Sequence, residues 1–187
     1  MDSVTNVSRW RSRSDGCRGN FYVEFGGLMF IENITLIQAR KNVMSDREKG
    51  TRCPCCDQYA KIYNRKLNSA MARSLILVDK YFSMPDAEEH LHVERYLTKY
   101  TRATDFYKLR FWGLIEAKDR SIVDGIPNAG YWKMTQLGKD FVRDLVRVPA
   151  RVAIYNDSFM GHSTDTINIT EALGQKFDYF ELIISDI

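Results

Sequence analysis

Apolar residues recur at helical spacing over residues 67–82. Leu67, Met71, Leu75, Val78 and Phe82 stand four, four, three and four positions apart and share one face. That stripe predicts a core-facing helix, capped by Asn68 or Ser69. After a turn signal at Met84-Pro85-Asp86, the pattern predicts a helix over 93–100 and another over 106–112, capped by Thr104 or Asp105. In the latter, Phe106, Leu109 and Trp112 should face inward. Thr104, Tyr107, Lys108 and Phe111 should then face outward, with Arg110 at the margin. Gly113 ends this helix, and residues 114–117 start a strand. A loop over 118–130 contains Gly125, Pro127, Asn128 and Gly130, and residues 131–134 form the return strand. Thr135 caps a helix expected from Gln136 to about Arg147, with Leu137, Phe141 and Leu145 on one stripe.

The flanking segments are less periodic. Residues 1–20 are polar, with Arg9, Arg11, Arg13 and Arg18, and read as a flexible arm. Residues 21–39 suggest two short strands around Gly26-Gly27, with a helix over 33–40 as an option for the second half. Residues 41–51 read as a loop, and 59–63 alternate as a strand does. Beyond Pro149, residues 152–155 read as a strand and 156–166 as a polar loop. Residues 167–169 follow as a strand, then a short helix capped by Thr170 and an amphipathic segment over 177–184. The expected architecture is α+β. A winged helix-turn-helix core (67–150) follows an N-terminal β/cysteine-turn subdomain (21–66) and precedes a small C-terminal extension (151–187).

Composition narrows the class. With 187 residues, 44% hydrophobic and 27% charged, the chain can bury a core, and it has no run of about 18 apolar residues. The first 16 residues lack the apolar stretch of a secretory signal, so a cytoplasmic location is expected. Three histidines, and no phosphate-cradling or metalloprotease motif, point away from an enzyme. Net charge is only +3, but it is uneven. Residues 40–73 hold nine bases and three acids, whereas from Asp157 onward six acids face Lys176 alone. Residues 86–130 hold seven bases and eight acids, so the helix–wing stretch is not basic overall.

Residues 53–56 read Cys-Pro-Cys-Cys. A Cys-Pro-x-Cys turn places two thiolates on one side of a tight bend, the spacing of a zinc knuckle. Cys53 and Cys56 are therefore candidate zinc ligands, and His92 is a candidate third. No second CxxC exists among the chain's four cysteines, so a metal-free turn with buried cysteines is the alternative.

The runs Tyr107–Glu116 (YKLRFWGLIE) and Gly130–Lys139 (GYWKMTQLGK) resemble the helix-to-wing passage of winged-helix regulators of the MarR and PadR kind. The stretches NRKLNSAMAR, after Tyr63, and EALGQKFDY, from Glu171, together with the cysteine turn, are similar to small bacteriophage proteins. The first resemblance implies duplex DNA as partner, with the third helix in the major groove. Thr104, Tyr107, Lys108, Arg110 and Phe111 would then meet the ligand, and Lys118 and Arg120 would meet phosphates from the wing. Lys61, Arg65 and Lys66, interleaved with Tyr59 and Tyr63, offer a second nucleic-acid face. The other reading is a phage-borne interaction module that binds and inhibits a host protein, such as a defence nuclease complex. Exposed aromatics on the 106–112 helix favour it. No membrane partner is expected under either reading.

Overall fold

The computed structural model describes residues 22–25, 28–31, 34–101, 105–118, 122–123, 126–127 and 130–184. The 1–20 arm, Cys17, Thr104 and Arg120 lie outside the described residues. The chain divides into two units, Met1–Ile62 and Tyr63–Ile187, and its architecture mixes helices with small antiparallel sheets.

In the first unit, β1 (Tyr22–Phe25) and β2 (Leu28–Ile31), two short strands on either side of Gly26-Gly27 as expected, pair antiparallel. Helix α1 spans Leu36–Asp46. The expected loop over 41–51 is thus overturned in its first half. Thr35 Oγ1 accepts the Gln38 N–H at 3.2 Å and starts the helix, and Gln38 donates to Asn42 one turn on at 3.0 Å. Only Ala39 is buried on α1, so its apolar stripe is too narrow to betray the helix. β3 (Thr51–Arg52) and β4 (Tyr59–Ala60) form a second hairpin, and the Cys-Pro-Cys-Cys turn is its tip.

The second unit is built around α2 (Ser69–Phe82), capped by Asn68, whose side chain accepts the Met71 N–H at 3.0 Å. Met71, Leu75, Ile76 and Val78 are buried at its centre. β6 (Leu91–His92), α3 (Val93–Leu97), a 3-10 helix (Phe106–Trp112) and β7 (Ile115–Ala117) follow in order. Then come β8 (Ile122–Val123), β9 (Ile126–Pro127), β10 (Tyr131–Met134) and α4 (Gln136–Val142). β10 lies between β6 and β7 in a three-stranded sheet.

The third helix is therefore a 3-10 helix rather than an α-helix. Its inward residues sit at i, i+3 and i+6, which is the three-residue period of that helix. Phe106, Leu109 and Trp112 are all buried as expected. Gly113, at φ 70°, closes it in the left-handed region.

α4 ends at Val142, five residues before the expected Arg147. Asp144 adopts φ 59°, which no α-helix continues through. Phe141 is buried, but Leu137 and Leu145 are exposed, so the expected stripe is wrong at both ends. Gly138 fills its place: a Cβ there would lie 2.1 Å from the Leu114 carbonyl oxygen. Thr135 Oγ1 accepts the Gly138 N–H at 3.0 Å and donates to Gly113 O at 2.6 Å, locking the start of α4 to the end of the 3-10 helix.

β11 (Val148–Pro149) pairs with β14 (Thr166–Ile167), and β12 (Arg151–Tyr155) lies between β5 (Tyr63–Lys66) and β13 (Ser158–His162). The polar stretch 156–166 thus contains a strand. Asn156 (φ 47°) and Asp157 (φ 59°) form a two-residue left-handed turn that folds β13 back on β12. Val152 and Ile154 of β12 join the core. α5 (Ile169–Leu173) is capped by Asn168 rather than Thr170. Asn168 and Glu171 exchange backbone and side-chain bonds in a capping box. A single 3-10 turn (Gly174–Lys176) leads to α6 (Tyr179–Ile184), whose Tyr179 hydroxyl donates to Val142 O at 3.0 Å.

Candidate interaction surface

The 3-10 helix and the β12–β13 hairpin meet at Arg110. Its Nη2 donates to Asp157 Oδ1 at 2.5 Å, and its guanidinium covers the rings of Phe111 (4.4 Å) and Tyr107 (5.3 Å). Lys108 is ion-paired with Asp105 one turn earlier, and its side chain is only 18% exposed. Both cations of this helix expected to meet the ligand are therefore already engaged by carboxylates.

Phe111, expected to face outward, packs partly buried against the core cluster. A three-residue turn places position 111 in the eclipsed row of 105 and 108, not on the outer face of an α-helix. Tyr107 is 40% exposed. Across the Arg110–Asp157 bridge, the hairpin presents Phe159, 45% exposed, and Met160, 39% exposed. The Phe159 ring packs against His162 at 4.6 Å. Sequence reasoning missed Asp157, Phe159 and Met160. The signal was present: an Asn-Asp pair between two runs of strand-forming residues.

Just after β7, Lys118 is exposed and its Nζ lies 5.7 Å over the Tyr131 ring. The neighbouring Lys133 sits between Glu116 (3.2 Å) and Glu89 (3.5 Å). The hydrogen bond to Glu116 holds its pKa above the ordinary lysine value. On β5 every residue is exposed, Arg65 and Lys66 included, and the Arg65 guanidinium lies 5.1 Å over the Tyr63 ring. Lys61 belongs to the first unit and is partly buried.

Among the described residues, no group of three His, Cys, Asp or Glu side chains is arranged to hold a metal. His92 caps α3: its Nδ1 accepts the Arg95 N–H at 3.4 Å, and its ring stands edge-on to Tyr131 at 5.0 Å. Cys53 and Cys56 lie in the first unit, at the tip of the β3–β4 hairpin. No described helix is long and apolar enough to cross a membrane. No protein-family model matches the chain, and no curated protein or solved structure is similar enough to count as a match.

Proposed function

We propose that this chain is a non-catalytic binding module with a winged-helix scaffold, and that its 3-10 helix and β12–β13 hairpin dock a protein rather than read duplex DNA. The order β6, α3, 3-10 helix, β7, β10, with β10 central in the sheet, supports the winged scaffold. The observation that carries the docking is the neutralisation of Lys108 by Asp105 and of Arg110 by Asp157. Duplex affinity comes mainly from cations that displace counterions at phosphates, and paired cations contribute little of it. The exposed aromatic and methionine side chains on either side of Arg110 are what protein hot spots use. The likeness to bacteriophage proteins makes a host protein the natural partner.

The test is fluorescence anisotropy with a random duplex at about 50 and 200 mM salt, coupled to a photo-crosslinking side chain at position 107. A winged DNA reader making several phosphate contacts would lose roughly a hundredfold or more in affinity between those salts. The expected result is no saturable duplex binding, with nuclease-resistant protein adducts from position 107. Tight, strongly salt-dependent duplex binding would overturn the proposal.

A further inference from the structure

Helix α1 is independent of that surface, since it belongs wholly to the first unit. Ala39 is its only buried residue, and Val43, one turn on, is partly buried. These two take one narrow strip of the helix. At about 100° per residue, Leu36, Arg40, Met44, Ile37 and Lys41 follow one another round an adjoining arc of about 140°. All five are exposed, with Leu36 at 60%, Ile37 at 71% and Met44 at 43%. Arg47 Nη1 donates to Met44 Sδ at 3.0 Å, which holds the thioether on that face. The polar residues lie on the opposite side: Gln38, which donates to Asn42 at 3.0 Å, then Ser45 and Asp46. Among the described residues, no carboxylate pairs with Arg40 or Lys41.

We infer that this face of α1 docks an acidic amphipathic segment of a partner protein, its apolar side chains against Leu36, Ile37 and Met44 and its carboxylates against Arg40 and Lys41. The order round the helix decides the occupant. Exposed aliphatic side chains gain only from burial against other apolar groups, which a phosphate backbone lacks. A bilayer needs an unbroken apolar face with its cations on the polar side. Here Arg40 stands between Leu36 and Met44 in one row of the helix, and Lys41 follows Ile37 in the next. A surface that interleaves carboxylates with apolar side chains matches that alternation. α1 is about 16 Å long, so the matching segment is about three turns of helix.

The experiment uses the full-length chain and two fluorescent helical peptides. One presents Leu and Glu interleaved along one face, and the other has Lys for every Glu. Vesicles of phosphatidylserine and phosphatidylcholine form a third arm. The expected result is saturable binding of the Glu peptide by anisotropy, with none of the Lys peptide or the vesicles. Leu36→Ser/Ile37→Ser and Arg40→Glu/Lys41→Glu should each weaken it about tenfold or more. Arg95→Glu/Lys99→Glu makes the same change of charge in the second unit and should leave it within about twofold. No binding of the Glu peptide would overturn the inference, as would equally tight binding of the Lys peptide or equal losses from the two charge-reversed variants. Vesicle binding that Arg40→Glu/Lys41→Glu abolishes would overturn it in favour of a membrane. The substituted α1 side chains are exposed, so the helical signal should persist. Should the charge-reversed variant unfold, Arg40→Gln/Lys41→Gln removes the same cations with good helix formers, and undiminished binding there would equally refute the inference. The peptides do not test Arg110, so either surface can fail alone.

Discussion

Arg110 reaches across 47 residues of sequence to Asp157, with Nη2 2.5 Å from Oδ1, and fixes the β12–β13 turn beside the 3-10 helix. The turn itself depends on backbone conformation more than on this exposed ion pair. Arg110→Ala should therefore change stability by less than about 1 kcal/mol in urea denaturation. Asn156→Val forces a β-branched residue to φ 47° and should destabilise by about 1–2 kcal/mol, with Asn156→Gly nearly neutral.

Gly138→Ala puts a methyl group 2.1 Å from the Leu114 carbonyl oxygen, which is backbone and cannot rotate away. The helix must shift instead. A loss of about 1–3 kcal/mol is expected in the same assay, although alanine is the better helix former.

Trp112 Nε1–H donates to Pro149 O at 2.7 Å and ties the 3-10 helix to β11. Trp112→Phe keeps most of the apolar volume but leaves that carbonyl without its partner. It should cost about 1–3 kcal/mol by urea denaturation, and Trp112→Ala about 3–5.

Burial raises the Asp79 pKa above its ordinary value of 3.8, against the opposing pull of Arg143 and Lys139. A carboxyl raised on folding supports the fold fully below its unfolded pKa, and that support is lost as pH rises through the folded one. Asp79→Asn should therefore gain stability relative to wild type as pH is raised from about 4 towards 7, read as the difference in Tm. A variant less stable at pH 7 than at pH 4, relative to wild type, would refute this.

Glu171 behaves in the opposite sense. The two hydrogen bonds from Arg147, at 2.7 and 3.2 Å, lower its pKa below 4.5. Its contribution is complete above 4.5 and disappears as pH falls through the lowered value. Glu171→Gln should be less stable than wild type near neutrality and indistinguishable from it at the acid end. A pH series of thermal melts decides this.

The sequence by itself determined the elements whose side chains carry a strong period. The four-residue stripe of α2, the i, i+3, i+6 triplet of the 3-10 helix, the Gly113 stop and the Thr135 cap are local signals, and local backbone energetics obey them. The Asn156-Asp157 turn was also written there, though the polar residues around it obscured the strand that follows. Other features were settled only in three dimensions. α4 stops at Val142, and buries Gly138 rather than Leu137, because it must pass close to the Leu114 backbone. The same holds for the charges of the candidate site. Lys108 and Arg110 look like phosphate contacts in one dimension. Asp105 lies one turn away and Asp157 is distant in sequence, so only folding sets their carboxylates against those cations. Spacing along a chain encodes which face a residue takes, but not which charge from elsewhere will meet it there.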